Sequence, residues 1–223
     1  MDEETPLQRL LIAHAGRDRQ KHRLLWAYDR RLADIVRTTR EPMIGQMRLT
    51  WWHDVITDPQ RAKGRGDPLV DALRADMPQM VGGEDDGAAL IAMIDGWEAL
   101  LEPMPLDEDM LAAYAQGRGG GLFRAMAGEE GRMTGGLPDA GAIWALWDLA
   151  AHISDDPTAM RAVGLAQARE AALPPMRWPR TLAPLRIATK LAAIDIRRGQ
   201  RAPAEMTPRL HARFLRIALF GRS

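Results

Sequence analysis

The first case for chemistry is a set of three charges on one helical stretch. Within residues 24–56, Arg30 stands four residues before Asp34 and Arg37 three after it. On an α-helix both guanidinium groups can then reach one carboxylate. Such a strip is either a ladder of surface ion pairs, each worth under about 1 kcal/mol, or a polar lining that faces a cavity inside a helical bundle. Asp54 and Asp58 make a second group. At i, i+4 their oxygens could share one magnesium ion, which takes hard oxygen ligands. They fall in the last turn of a helix, where negative charge is unfavourable. The other acidic clusters, at residues 84–86 and 107–109, read as loop filling and as a helix start. The five histidines, His14, His22, His53, His152 and His211, show no metal-ligand spacing. Ser154 and Ser223 are the only serines and no GxSxG element occurs, so serine nucleophile chemistry has little support. The glycine cluster after Tyr114 reads GRGGGL. Leu122 stands where GxGxxG needs its last glycine, and a helix precedes it rather than a strand, which argues against a dinucleotide loop.

These residues need helices to position them, and the chain supplies the signals. Thr5-Pro6 is an N-cap followed by proline at the first helical position. A second helix starts near Asp18, with Leu24, Leu25, Tyr28, Leu32, Ile35 and Val36 at the 3.6-residue period. It ends before Glu41-Pro42, because proline disfavours the α conformation in the residue before it. Pro42 opens a third helix, whose predicted buried side is Ile44, Met47, Trp51, Val55 and Ile56. Further helices are predicted at residues 68–77, 88–101, 143–153, 157–172, 181–198 and 208–220, and one beginning at 107–109. That last one runs into Gly117, Gly119, Gly120 and Gly121. Glycine costs about 1 kcal/mol against alanine inside a helix, so the cluster implies a kink or a surface that something approaches closely. VGGEDDG and GEEGRMTGGLPDAG are predicted loops. No strand-like alternation and no repeat appears. The expectation is one all-α domain over residues 1–223, with about nine or ten helices.

Composition narrows the function classes. Cysteine is absent, which removes disulfides, thiolate catalysis and cysteine metal sites. No apolar run approaches the roughly 20 residues a membrane-spanning helix needs. The acidic start, MDEETPLQRL, has no signal-peptide layout, and the expected location is cytoplasmic, with peripheral contact at the inner membrane as an extension of that expectation. Net charge is zero, yet residues 67–156 hold 18 acids and 4 bases, and residues 177–223 hold 2 acids and 11 bases. Only 3 of the 30 basic residues are lysine. That bias is read as genomic composition, and no nucleic-acid partner is expected. The helix within residues 207–223 is amphipathic and basic. Leu210, Phe214, Ile217 and Phe220 share one side, and Arg209, Arg213 and Arg216 the other. It is either a membrane or partner-docking face built from Arg209, Arg213, Phe214, Arg216, Ile217 and Phe220, or a helix packed on the bundle.

The stretch YDRRLADIVRTTREPMIGQMRLTWWHDVI resembles the N-terminal third of the squalene/phytoene synthase family. The likeness to one branch rests on Ile44-Gly45-Gln46-Met47-Arg48 followed by Trp51-Trp52. That branch includes members that assist assembly of respiratory complex I. YAQGRGGGLFRAMA resembles the family's small-residue helix, a tyrosine followed by small residues lining the pocket. The resemblance implies an isoprenoid-synthase bundle, shortened here at its C-terminal end. It also implies two Asp-rich motifs on opposite helices that hold magnesium against a prenyl diphosphate.

In this chain those motifs are degraded. The first falls on Ala33-Asp34-Ile35-Val36-Arg37, and only Asp34 keeps its carboxylate. The second is expected before Leu173-Pro174, where the helix offers only Glu170. Arg118 stands where the family has threonine. The implied reading is a non-catalytic relative with no cofactor, acting as an assembly or scaffold factor for a protein client such as a respiratory complex subunit. Its expected pocket residues are Arg30, Asp34, Arg37, Arg48, Tyr114 and Arg118, suited to an isoprenoid diphosphate or lipid head group. The first alternative is an active prenyltransferase using magnesium and atypical carboxylates, Asp34, Asp54, Asp58 and Asp148. The second is a membrane-surface adaptor.

Overall fold

Helix α1 (Pro6–Ala13) begins as its sequence predicts. The Thr5 hydroxyl accepts from the Gln8 N–H, and the Gln8 side chain accepts from the Thr5 N–H. This reciprocal capping satisfies donors that the first turn would leave orphaned. The computed structural model describes residues 4–81, 87–203 and 205–221. Its described residues form helices and no strand, in agreement with the all-α expectation. The order continues with α2 (Arg19–Thr38), α3 (Pro42–Thr57), α4 (Pro68–Asp76), α5 (Gly87–Glu98) and a 3₁₀ turn at Ala99–Leu101. Then come α6 (Glu108–Tyr114), α7 (Gly121–Ala127), α8 (Glu129–Met133), α9 (Leu137–His152), α10 (Asp156–Ala172), α11 (Ala183–Ile196) and α12 (Pro208–Phe220). No helix among the described residues is long and apolar enough to cross a membrane.

Helix α9 is the centre of the bundle. It is buried nearly all round, from Ala140 through Leu149 and Ala150, as a helix surrounded by others must be. The glycine cluster lies against it. Residues Ala115–Gly120 form a π-helical segment that joins α6 to α7 without a break. A side chain at Gly119 would overlap the backbone of Gly141 on α9, and one at Gly117 would overlap Gly96 on α5. The glycines therefore serve close backbone approach on two sides rather than a kink. The wider π turn fits the extra residue, a feature that often marks functional sites.

Two sequence expectations change. Helix α3 buries Gly45, Leu49, Trp52, Val55 and Ile56, while Met43, Ile44, Met47 and Trp51 are exposed. The reason is Gly45. Leu101 lies so close to its backbone that a Cβ there would clash, which turns the Ile44–Met47–Trp51 side outward. Part of the predicted loop after Ala127 is helical, since α8 occupies Glu129–Met133 and α9 starts at Leu137, six residues before the expected Ile143. The predicted break at VGGEDDG falls mostly on residues 82–86, outside the described residues, as does Ser223.

Candidate functional site

One cavity of about 920 Å³ opens between α1, α2, α9 and the segment following α11. Trp26, Trp97, Trp144 and Trp147 form much of its wall. Arg30, Arg37, Met104 and His152 also line it. Trp26 and Trp144 meet edge to face at 5.2 Å, an arrangement that aromatic quadrupoles favour.

The base of this cavity holds a buried charge cluster. Arg118, only 5% exposed, projects from the π segment. Its Nε donates to Asp29 Oδ1 at 3.0 Å and its Nη2 to Asp29 Oδ2 at 2.9 Å. Its Nη1 donates to Asp148 Oδ2 at 2.7 Å and also to the Tyr114 hydroxyl. The Trp97 indole N–H donates to Asp29 Oδ1 at 2.8 Å. The guanidinium carbon lies 4.6 Å from the Trp97 ring centre and 4.8 Å from that of Trp144. One cation is thus held between two carboxylates from different helices and two indole faces. Bidentate contact and ring stacking are what a planar guanidinium does best. Burial pushes the Arg118 group towards neutrality, but Asp29, Tyr114 and Asp148 outweigh it and hold its pKa well above the ordinary value. Burial pushes the Tyr114 phenol up, so it stays protonated.

Of the expected pocket residues, Tyr114 and Arg118 stand at this base, and Arg30 and Arg37 line the cavity. Asp34 and Arg48 do not line it. Asp34 is paired with Arg37 towards solvent. Arg30, expected to share Asp34, instead donates to the Gln8 side chain at 2.9 Å. Arg48 is exposed and reaches Thr39 at 3.5 Å. The two weak metal candidates have other roles. Asp54 pairs with Lys63. Asp58 accepts from the backbone N–H groups of Gln60, Ala62 and Lys63, and these bonds, that to Lys63 foremost, hold its carboxyl below the usual range. Glu170 is bound by Arg197.

The C-terminal face also needs correction. Phe214 and Ile217 are buried against the bundle, and Arg213 pairs with the buried Asp195. These residues satisfy the core rather than a membrane. Arg209, Arg216 and Phe220 remain on the outer side, with Leu215 and Leu219.

Asp29 was missed as a site residue, although a signal was present. It lies four residues after Leu25 and three before Leu32, so it belongs to the apolar side of α2. A charged residue on a buried helix face is the informative exception in an amphipathic pattern.

Comparison with known proteins bears on this arrangement. Residues 10–132 match the family model described as squalene/phytoene synthase, which covers more than half of the chain. The chain belongs to the squalene/phytoene synthase family. No curated protein and no solved structure matches it. Asp29, Tyr114 and Arg118 fall inside the matched stretch, whereas Trp144 and Asp148 lie beyond it.

The squalene/phytoene synthase family implies magnesium, and the residues at the cavity base do not fit such an ion. The two carboxylates that face each other there are both engaged by Arg118, whose positive charge repels a metal. Among the described residues no three histidine or acidic side chains gather to hold a metal ion.

Proposed function

We propose that this protein is a non-catalytic member of its family, an assembly or scaffold factor that keeps the bundle and its cavity without the ionisation chemistry. The single observation that carries this reading is Arg118 between Asp29 and Asp148. Departure of a diphosphate needs a concentrated positive charge on the leaving oxygens. Arg118 is a poor source of that charge, because its donors are committed to Asp29, Asp148 and Tyr114. A respiratory complex subunit is the client suggested by the Ile44-Gly45-Gln46-Met47-Arg48 resemblance.

The test is direct. Purified protein is incubated with farnesyl or geranylgeranyl diphosphate and magnesium, and pyrophosphate release is followed. The expected result is no release above the protein-free control. Turnover that disappears in Asp29→Asn and Asp148→Asn would instead establish the active prenyltransferase.

A further inference from the structure

We propose that the cavity holds a neutral, hydrocarbon-chained molecule by a carbonyl oxygen, which accepts from the indole N–H groups of Trp26 and Trp147. The inference rests on the reading of this cavity as one without ionisation chemistry, and names what it takes in place of a diphosphate.

Trp26 and Trp147 are residues of the cavity wall, 2% and 1% exposed. The indole nitrogen of each is buried and has no hydrogen-bond partner. Trp97 differs, because Asp29 takes its N–H. Buried tryptophan N–H groups ordinarily find a partner, since a buried donor left without an acceptor is costly. Two such donors in the wall of one cavity call for an acceptor that the protein does not supply. Tyr114 adds a third. Its hydroxyl accepts from Arg118, and burial keeps it protonated. Among the described residues no acceptor takes its own proton. The three donors belong to the walls near the cavity base. Trp26 meets Trp144, whose ring covers the Arg118 guanidinium. Trp147 precedes Asp148, which Arg118 binds.

The chemistry of these groups selects the ligand. The buried cation of the cavity, Arg118, has its donors on Asp29, Asp148 and Tyr114. A phosphate carried to that depth would lose its water and meet no uncommitted cation, which is costly. Arg30 and Arg37 also line the cavity, but they bind Gln8 and Asp34. Indole and phenol donors are neutral and suit a neutral oxygen. A carbonyl fits better than a hydroxyl, because it accepts two hydrogen bonds and donates none. Both oxygens of Asp29, the nearest acceptor to Trp97, are already engaged. Leu7, Leu11, Val36, Leu100 and Met104 give the chain of such a molecule an apolar wall. The cavity volume of about 920 Å³ lies at the upper end of small-molecule sites, which run from roughly 300 to 1,000 Å³.

Calorimetric titration of the full chain without magnesium tests this. The probes are farnesylacetone, farnesene and farnesyl diphosphate, which share one chain and differ in the head. Farnesylacetone should bind, and farnesyl diphosphate should bind roughly tenfold or more weakly than it. Trp26→Phe with Trp147→Phe keeps aromatic rings in the wall and removes both donors. It should weaken farnesylacetone roughly tenfold, the worth of about one hydrogen bond, and leave farnesene unchanged. In the infrared, the C=O stretch of bound farnesylacetone should lie below its value in a hydrocarbon solvent. That band is read on the unaltered chain, so it decides the matter if the double variant fails to fold. A straight-chain methyl ketone of equal length shows whether a branched or an acyl-type chain brings the carbonyl. The proposal is overturned if farnesylacetone does not bind or if its C=O stretch is unshifted. It is equally overturned if the double variant weakens farnesylacetone and farnesene alike or neither, or if the diphosphate binds more tightly than the ketone. Pyrophosphate release with magnesium would instead overturn the non-catalytic reading, so the two failures are read apart.

Discussion

Asp29 and Asp34 lie five residues apart on one helix and do opposite things. Asp29 is 2% exposed and accepts from Arg118 and Trp97. Asp34 looks outward and meets Arg37, whose side chain is 75% exposed. The same pair of charges is a structural keystone in one place and a minor contact in the other. The difference is the medium. A buried carboxylate has lost its water, so its fixed partners supply what solvation would. At the surface, water and salt do most of that work.

The sharpest way to break the comparison is Asp29→Ala. It leaves Arg118 buried with only Asp148, itself part-exposed, to balance it, and should destabilise the protein by about 3–5 kcal/mol in chemical unfolding. The double change Asp29→Leu with Arg118→Met should recover much of that loss, because well-packed apolar residues can replace a buried pair. If the double variant is no better than Asp29→Ala, the cluster is not a coupled unit.

A third polar residue of α2 extends the contrast to pH. His22 is 2% exposed, and its Nδ1 has no hydrogen-bond partner. Burial, aided by Lys21, lowers its pKa to about 4. The unfolded chain titrates near the ordinary value of about 6.5. The folded state therefore binds fewer protons between these values, and stability falls as pH drops from about 6.5 to about 4. The full effect is on the order of 3 kcal/mol. Urea unfolding across this range should show the decline, and His22→Leu should flatten that part of the curve.

The smallest effect is expected from Asp34→Ala. It should change stability by under about 1 kcal/mol, and less at high salt. A loss as large as that of Asp29→Ala would mean that the outer strip of α2 also supports the fold.

Much of the helical layout was legible because it is local. Thr5, Pro42, Asp67, Asp107 and Thr207 start helices by chemistry confined to neighbouring residues. The cavity base was legible only in part. Tyr114 and Arg118 stand out beside the glycine cluster, whereas helix spacing alone points to Asp34 rather than Asp29. The choice between the two depends on Arg118, 89 residues from Asp29 in the chain. The inward side of α3 escapes local patterning for a related reason. Periodicity places Met43, Ile44, Met47 and Trp51 on an apolar side, yet the contact of Gly45 with Leu101 sets which side packs.

The sequence alone determined an all-α chain, the starts of most helices and the family resemblance. Each of these rests on residue type and near-neighbour spacing. The tertiary structure alone decided which acid is buried, what Arg118 holds, and which side of α3 meets solvent. These depend on close backbone approach between distant segments. That approach places Gly96 against Gly117 and Gly119 against Gly141, and it sets the π segment so that Arg118 reaches both Asp29 and Asp148.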